Sequence, residues 1–194
     1  MEETAPSESA PAIVNPVTGV TVRAGADDAV RIELAPGAAG PAEHVHPRIE
    51  ERFDVVAGTP TFRIESRERR ISPGRELRVS SGTPHAFRND GDVPATLLGR
   101  TVPESERLAE VVATLFGLAQ DGRTDERGRP GLLQAAVMAE TVEETRLAGV
   151  PRPLQEAFGA VVGPVARALG YEATYDRYLS ESFWAARAEA SSEE

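Results

Sequence analysis

The hydrophobic period of this chain changes once, at Pro103, and that change restricts the fold more than any other feature. Before it, apolar or β-branched residues alternate with polar ones in short runs: Val20–Arg23, Val30–Leu34, Phe53–Ala57, Thr61–Glu65, Leu77–Ser80 and Thr96–Thr101. Gly and Pro punctuate them at Pro36-Gly37, Gly58, Pro73-Gly74 and Asp90-Gly91-Asp92. Short strands at regular spacing imply a sandwich or barrel. After Pro103 the period becomes helical. Leu108, Val111, Val112, Leu115 and Phe116 share one helix face that stops near Gly122. A second helix is expected to start at Pro130, run through Leu133, Ala136 and Val137, and end before Gly149. A third carries Leu154, Phe158, Val161, Val162, Val165 and Leu169, with a kink expected at Gly163-Pro164. Tyr171, Tyr175 and Tyr178 continue at helical spacing. The expected fold is thus mostly β with an α appendage: a tail over 1–16, a β domain over 17–103, a three-to-four-helix extension over 104–187 and a second tail over 188–194, both tails disordered.

Composition narrows the chemistry. The 194 residues include no Cys and no Lys, which excludes disulfides, thiolate ligands, a Cys nucleophile, Schiff-base chemistry and a P-loop lysine. The net charge is −10, and six of the acidic residues (Glu2, Glu3, Glu8, Glu189, Glu193, Glu194) fall in the two tails. No basic stripe recommends a nucleic-acid partner. No apolar run approaches the ~18 residues of a membrane span, and the acidic start MEETAPSESAPA has no apolar stretch of a secretory signal. A cytoplasmic protein without nucleic-acid or membrane partners is the expectation.

The chain has three histidines: His44, His46 and His85. In a strand, residues i and i+2 point to the same face, so His44-Val45-His46 would present two imidazoles to one point. Glu50 and Glu51 follow, past Pro47. Glu51, Phe53, Val55 and Ala57 share one face of the next strand, so Glu51 at its mouth is a plausible third ligand. His85 can join them only if the fold brings a distant strand alongside. Three imidazoles and one carboxylate suit Fe, Mn, Ni, Cu or Zn, and an octahedral ion would keep two positions open.

These stretches resemble the cupins. The first cupin motif, G(X)5HXH(X)3,4E(X)6G, is similar to His44-Val45-His46-(x)4-Glu51-(x)6-Gly58, with Ala38 where the leading Gly would stand. The second, G(X)5PXG(X)2H(X)3N, is similar to Gly74-(x)5-Ser80-Ser81-Gly82-Thr83-Pro84-His85-(x)3-Asn89, with Ser80 in place of Pro. Both departures fall at turn-shaping positions rather than ligands. The resemblance covers roughly 17–103. It implies a double-stranded antiparallel β-barrel, jelly-roll-like, with one divalent transition metal ion held by His44, His46, Glu51 and His85. The motif selects Glu51 over Glu50, because Glu51 stands six residues before the closing Gly58.

Phe53 and Phe87 each lie two residues beyond a ligand, so both should face the interior, as core or as an apolar substrate wall. Glu50 is expected at solvent or paired with Arg48 or Arg52, with orientation of an imidazole as its other use. The arginine-rich run 63–70 reads as a solvated hairpin tip. The extension's apolar faces fit a satellite bundle on the barrel, a homodimer interface, or a lid over the barrel mouth. The expected activity is that of a metal-dependent enzyme of the oxygenase kind acting on a small organic molecule. The alternative is a non-catalytic small-molecule or metal sensor.

Overall fold

The computed structural model describes residues 10–141 and 145–192. Eleven strands appear among them: β1 (Ile13–Asn15), β2 (Val20–Ala24), β3 (Val30–Leu34), β4 (His44–Val45), β5 (Glu50–Ala57), β6 (Thr61–Ile64), β7 (Arg67–Arg70), β8 (Glu76–Val79), β9 (His85–Arg88), β10 (Ala95–Val102) and β11 (Arg146–Leu147). Five helices lie among the later ones: α1 (Glu106–Gln120), α2 (Leu132–Thr141), α3 (Arg152–Ala168), α4 (Asp176–Leu179) and α5 (Glu181–Ser192). The strands form two sheets, in the orders β1-β2-β3-β10-β5-β8 and β11-β4-β9-β6-β7. All their pairings are antiparallel. The expected antiparallel jelly-roll-like fold is therefore present, as two facing sheets whose hydrogen bonds do not close into one ring.

Period-two alternation explains the core. Ile32, Leu34, Phe53, Val55, Leu77, Val79 and Leu97 from the first sheet bury against Phe62 and Phe87 from the second. Phe53, Phe62 and Phe87 form a ring trio with centroids 5.2–5.7 Å apart. Gly58, at φ 72°, turns β5 toward β6; a Cβ there would stand 2.6 Å from the Ala95 backbone, so only glycine fits. Asn89 seals the far end, donating to the Leu34, Ala35 and Val93 carbonyls and accepting from Gly91 N–H.

Several boundaries differ from expectation. Ile13–Asn15, inside the expected first tail, pairs with β2 as β1, and α1 packs on it. Residues 1–9 and 193–194 of the expected tails lie outside the described residues, while α5 carries helix through 188–192. The second helix, α2, ends before Gly149 as expected, and Arg146–Leu147 after it is an unexpected strand on β4. The tyrosines do not share a helix, since only Tyr178 lies in α4. The run 63–70 is the β6–β7 hairpin, and β7 is a fully exposed charged edge strand. No helix among the described residues is long and apolar enough to cross a membrane.

Candidate metal centre

Sheet register assembles the site. β4 lies beside β9 with His44 opposite His85, which places those imidazoles together from positions 41 residues apart in sequence. His46 follows just beyond the end of β4. Glu51 enters from the facing sheet, on the same face of β5 as Phe53. His85 and Phe87 share a face of β9 in the same way. The interior is thus layered: the Phe53–Phe62–Phe87 trio forms an apolar floor, and one strand repeat along lie Glu51 and His85. Phe53 and Phe87 belong to this packed core.

One ligand atom from each of His44, His46, Glu51 and His85 lies within 4.8 Å of the other three. His44 Nε2 stands 3.1 Å from His46 Nε2, and Glu51 Oε2 stands 3.5 Å from His46 Nε2 and 2.5 Å from His85 Nε2. All three histidines are buried. The ring orientations are set from behind. His44 Nδ1 lies 2.9 Å from the Ala42 carbonyl, and His85 Nδ1 lies 2.9 Å from the Thr83 carbonyl, each two residues upstream. His46 Nδ1 lies 3.0 Å from Thr145 Oγ1, 99 residues away. In each ring the Nδ1 side is occupied and Nε2 faces the common point.

Electrostatics follow from this crowding. Burial, with the neighbouring His85 and His46, lowers the His44 pKa to about 4. Burial works to raise Glu51, but its contact with His85 and the three imidazoles outweighs that and holds it below the usual carboxylate range. Burial works to lower His85, yet Glu51 and the Thr83 carbonyl raise it. At neutral pH the site therefore offers a neutral His44 and an ionised Glu51, the forms a cation needs.

The residues fit a cation on the structure's own terms. Glu51 Oε2 and His85 Nε2 are buried without a hydrogen-bond partner, although the two atoms stand 2.5 Å apart. Orphaned buried polar atoms call for a ligand or ion. Three imidazole nitrogens and one carboxylate oxygen form a first-row transition-metal donor set. Glu50 stays outside: it accepts from Arg52 Nε at 2.7 Å, half-buried, as expected for the strand neighbour of an inward residue. Sequence reading missed Thr145, because the segment before Gly149 carries a helical pattern with nothing to mark a short strand.

Residues 30–99 match the family model described as a cupin domain. The chain is 33% identical over 76 residues to the tetracenomycin polyketide synthase protein TcmJ of Streptomyces glaucescens, which covers 39% of this chain and 50% of that protein. The match thus spans half the length of that curated relative. Among solved structures it is similar to a sugar phosphate isomerase from the cupin superfamily of Silicibacter pomeroyi (25% identity, 46% of this chain and 63% of that one, TM-score 0.40). It is also similar to the cupin domain of an XRE family transcriptional regulator from Enterobacter cloacae (23% identity, 43% and 81%, TM-score 0.34).

Proposed function

With residues 30–99 a cupin domain, we propose that the chain is a metal-dependent enzyme of the oxygenase kind, acting on a small organic molecule at the His44, His46, Glu51 and His85 centre. The observation that carries this reading is the convergence of three buried imidazoles and one buried carboxylate within 4.8 Å. A divalent transition ion bound there supplies a Lewis acid and a template for oxygen-donor substrates. His44, His46 and His85 hold their rings through Nδ1 and keep Nε2 for the ion. A structural ion is the weaker use of such a set, since closed structural sites are usually thiolate-rich and this chain has no thiol.

The residues restrict proton handling. Every histidine belongs to the cluster. Tyr175 donates to Gln134, and Tyr178 donates to Asp121, both within the extension. Glu50 is paired with Arg52. Proton transfer is then left to Glu51, whose carboxylate stands beside His85 Nε2, to Tyr171 or to water at the ion. The likeness to a protein of tetracenomycin polyketide synthesis makes enolizable and phenolic polyketide-type compounds the first substrate class to try.

The test is metal analysis and titration of the purified chain, followed by oxygen uptake by the Fe(II)- or Mn(II)-loaded protein with that panel. Stoichiometric binding lost in His46→Ala and Glu51→Ala but kept in Glu50→Ala is expected, together with turnover. Binding of a panel member without oxygen consumption would replace the enzyme by a small-molecule sensor. Full metal occupancy in His46→Ala would overturn the centre itself.

A further inference from the structure

Two of the three imidazoles are oriented by their own loops, and the third is oriented by the helical extension. Thr145 brings its hydroxyl to 3.0 Å from His46 Nδ1. It is held there by neighbours on both sides. Arg146 and Leu147 pair with Val45 and His44 as β11 on β4, and Ala148 N–H donates to the Glu43 carbonyl at 2.9 Å. From the other side Gln155, in the first turn of α3, clasps the same strand. Its Oε1 accepts from Leu147 N–H at 3.1 Å, and its Nε2 donates to the Leu147 and Val150 carbonyls at 3.0 and 2.9 Å. Hydrogen bonds from α3 thus hold β11, and the chain from β11 carries Thr145 to His46.

From this arrangement we propose that Thr145 is a positioning residue of the metal centre, which couples ion binding to the seating of the extension. The proposal rests on the reading of His44, His46, Glu51 and His85 as that centre. An imidazole that gives its Nε2 lone pair to a cation carries its remaining proton on Nδ1. The Thr145 hydroxyl oxygen then accepts that proton's hydrogen bond, fixing both the tautomer and the ring plane of His46. Partners behind a ligating histidine commonly matter about 10–100-fold in affinity. His44 and His85 have backbone carbonyls in this role, which no side-chain substitution removes; at His46 the role falls to a replaceable side chain.

The test titrates the full chain and its variants with Cu(II), in competition with a chelator of known affinity, and records the electron paramagnetic resonance spectrum of each complex. Thr145→Val, which keeps the shape and loses the hydroxyl, is expected to weaken Cu(II) about 10–100-fold and to change the nitrogen couplings. Thr145→Ser is expected to stay within about threefold of the native chain and keep its spectrum. Gln155→Ala, which touches no ligand, should weaken Cu(II) in the same direction by a smaller factor. Should Thr145→Val not fold, Thr145→Ala takes its place in the comparison. Native affinity and spectrum in the hydroxyl-free variant would overturn the proposal, and so would equal weakening by the Val and Ser variants. If the native chain binds no Cu(II), the metal centre itself falls. If it binds, and His46→Ala abolishes binding while the Thr145 variants do not alter it, only the present inference fails.

Discussion

The β domain and the helical extension are stabilised by different physics. In the β domain, residues from two facing sheets share one apolar core, with the Phe53, Phe62 and Phe87 rings at its centre. The extension holds a much smaller apolar cluster of Val111, Met138 and Leu115. Beside other buried residues such as Leu118, Val137, Tyr178 and Trp184, polar side chains that meet across its elements add to its order. Tyr175 donates to Gln134, Gln134 donates to the Glu172 carbonyl at 2.6 Å, Trp184 donates to the Tyr178 carbonyl at 2.8 Å, and Asp121 accepts from Tyr178, Arg177 and Arg187. An apolar core is non-directional and tolerates some repacking. Directional bonds around buried groups fix one arrangement and fail abruptly when a partner is removed.

The two regions are nevertheless joined, through β1 on α1, Phe116 on the β core and β11 on β4. The largest expected effect tests that join. Phe53→Ala removes one ring of the trio and should cost about 3–5 kcal/mol. The chain's single tryptophan, Trp184, lies in α5, so its fluorescence reports the extension alone. If the regions unfold together, the fluorescence transition falls to lower denaturant by the same amount as the circular-dichroism transition. A Trp184 transition left in place would show the extension unfolding on its own.

The second effect separates the regions by pH. In the ion-free fold His44 has a pKa of about 4, against 6.5 when unfolded. Between those values the unfolded chain binds a proton that the native state refuses. The stability present above pH 6.5 is therefore lost as the pH falls toward 4, by roughly 3 kcal/mol at full extent. His85 has the opposite sign: its pKa is raised, so its contribution is complete below 6.5 and lost as pH rises through its folded value. Urea midpoints of the ion-free chain should drop on acidification through the window from 6.5 to 4. His44→Gln should flatten that drop. A drop of the same size in the variant would place the acid sensitivity elsewhere.

The same contrast explains what could be read from the sequence. Period-two alternation located β2, β3, β5, β6, β8 and β10 because each strand buries one face against a shared core. The His44, His46, Glu51 and His85 cluster was legible through the two motifs that resemble the cupins, and the register that sets His85 opposite His44 is what brings those motifs together. In the extension, periodicity located α1 and α3, but the apolar stripe of α3 is not the face that the helix turns inward. That helix turns Gly159, Gly163 and Ala166 inward, packs with α2, and leaves Leu154, Val161, Val165 and Leu169 exposed. Small residues allow close helix approach, and no hydropathy pattern marks them as a packing face. Strands β1 and β11 escaped because two- and three-residue strands are defined by their partners, and Thr145 escaped with β11.

A smaller effect tests close approach at a second place in the extension. Replacing glycine by alanine inside a helix ordinarily gains about 1 kcal/mol. At Gly117 of α1 the sign should reverse, because a Cβ would run into the ring of the fully buried Tyr178. Gly117→Ala is expected to cost about 1–3 kcal/mol as overpacking. The loss should appear in the Trp184 transition, since Tyr178 stacks on Phe183 and takes the Trp184 N–H. A stabilised variant would mean that α4 can move aside, making the extension as adaptable as an apolar core.

The smallest effect is expected on the outer face of α3, where the contrast between the regions is sharpest. Val161 is 72% exposed, so its side chain gains little from folding within one chain. Val161→Ser should therefore change stability by no more than about 0.5 kcal/mol, the scale of ordinary surface substitutions. The same change at Val55 of the β core would empty a buried site. The measurement is the urea midpoint of native and variant chains at low and high protein concentration, with sedimentation alongside. A loss well above that scale that grows with concentration would show that the stripe from Leu154 to Leu169 is covered by a second copy of the chain, so that the extension too is held by an apolar interface, one shared between subunits. A small, concentration-independent change would leave the exposed valine without any stabilising role, and the extension's stability with its inward-facing small residues and hydrogen bonds.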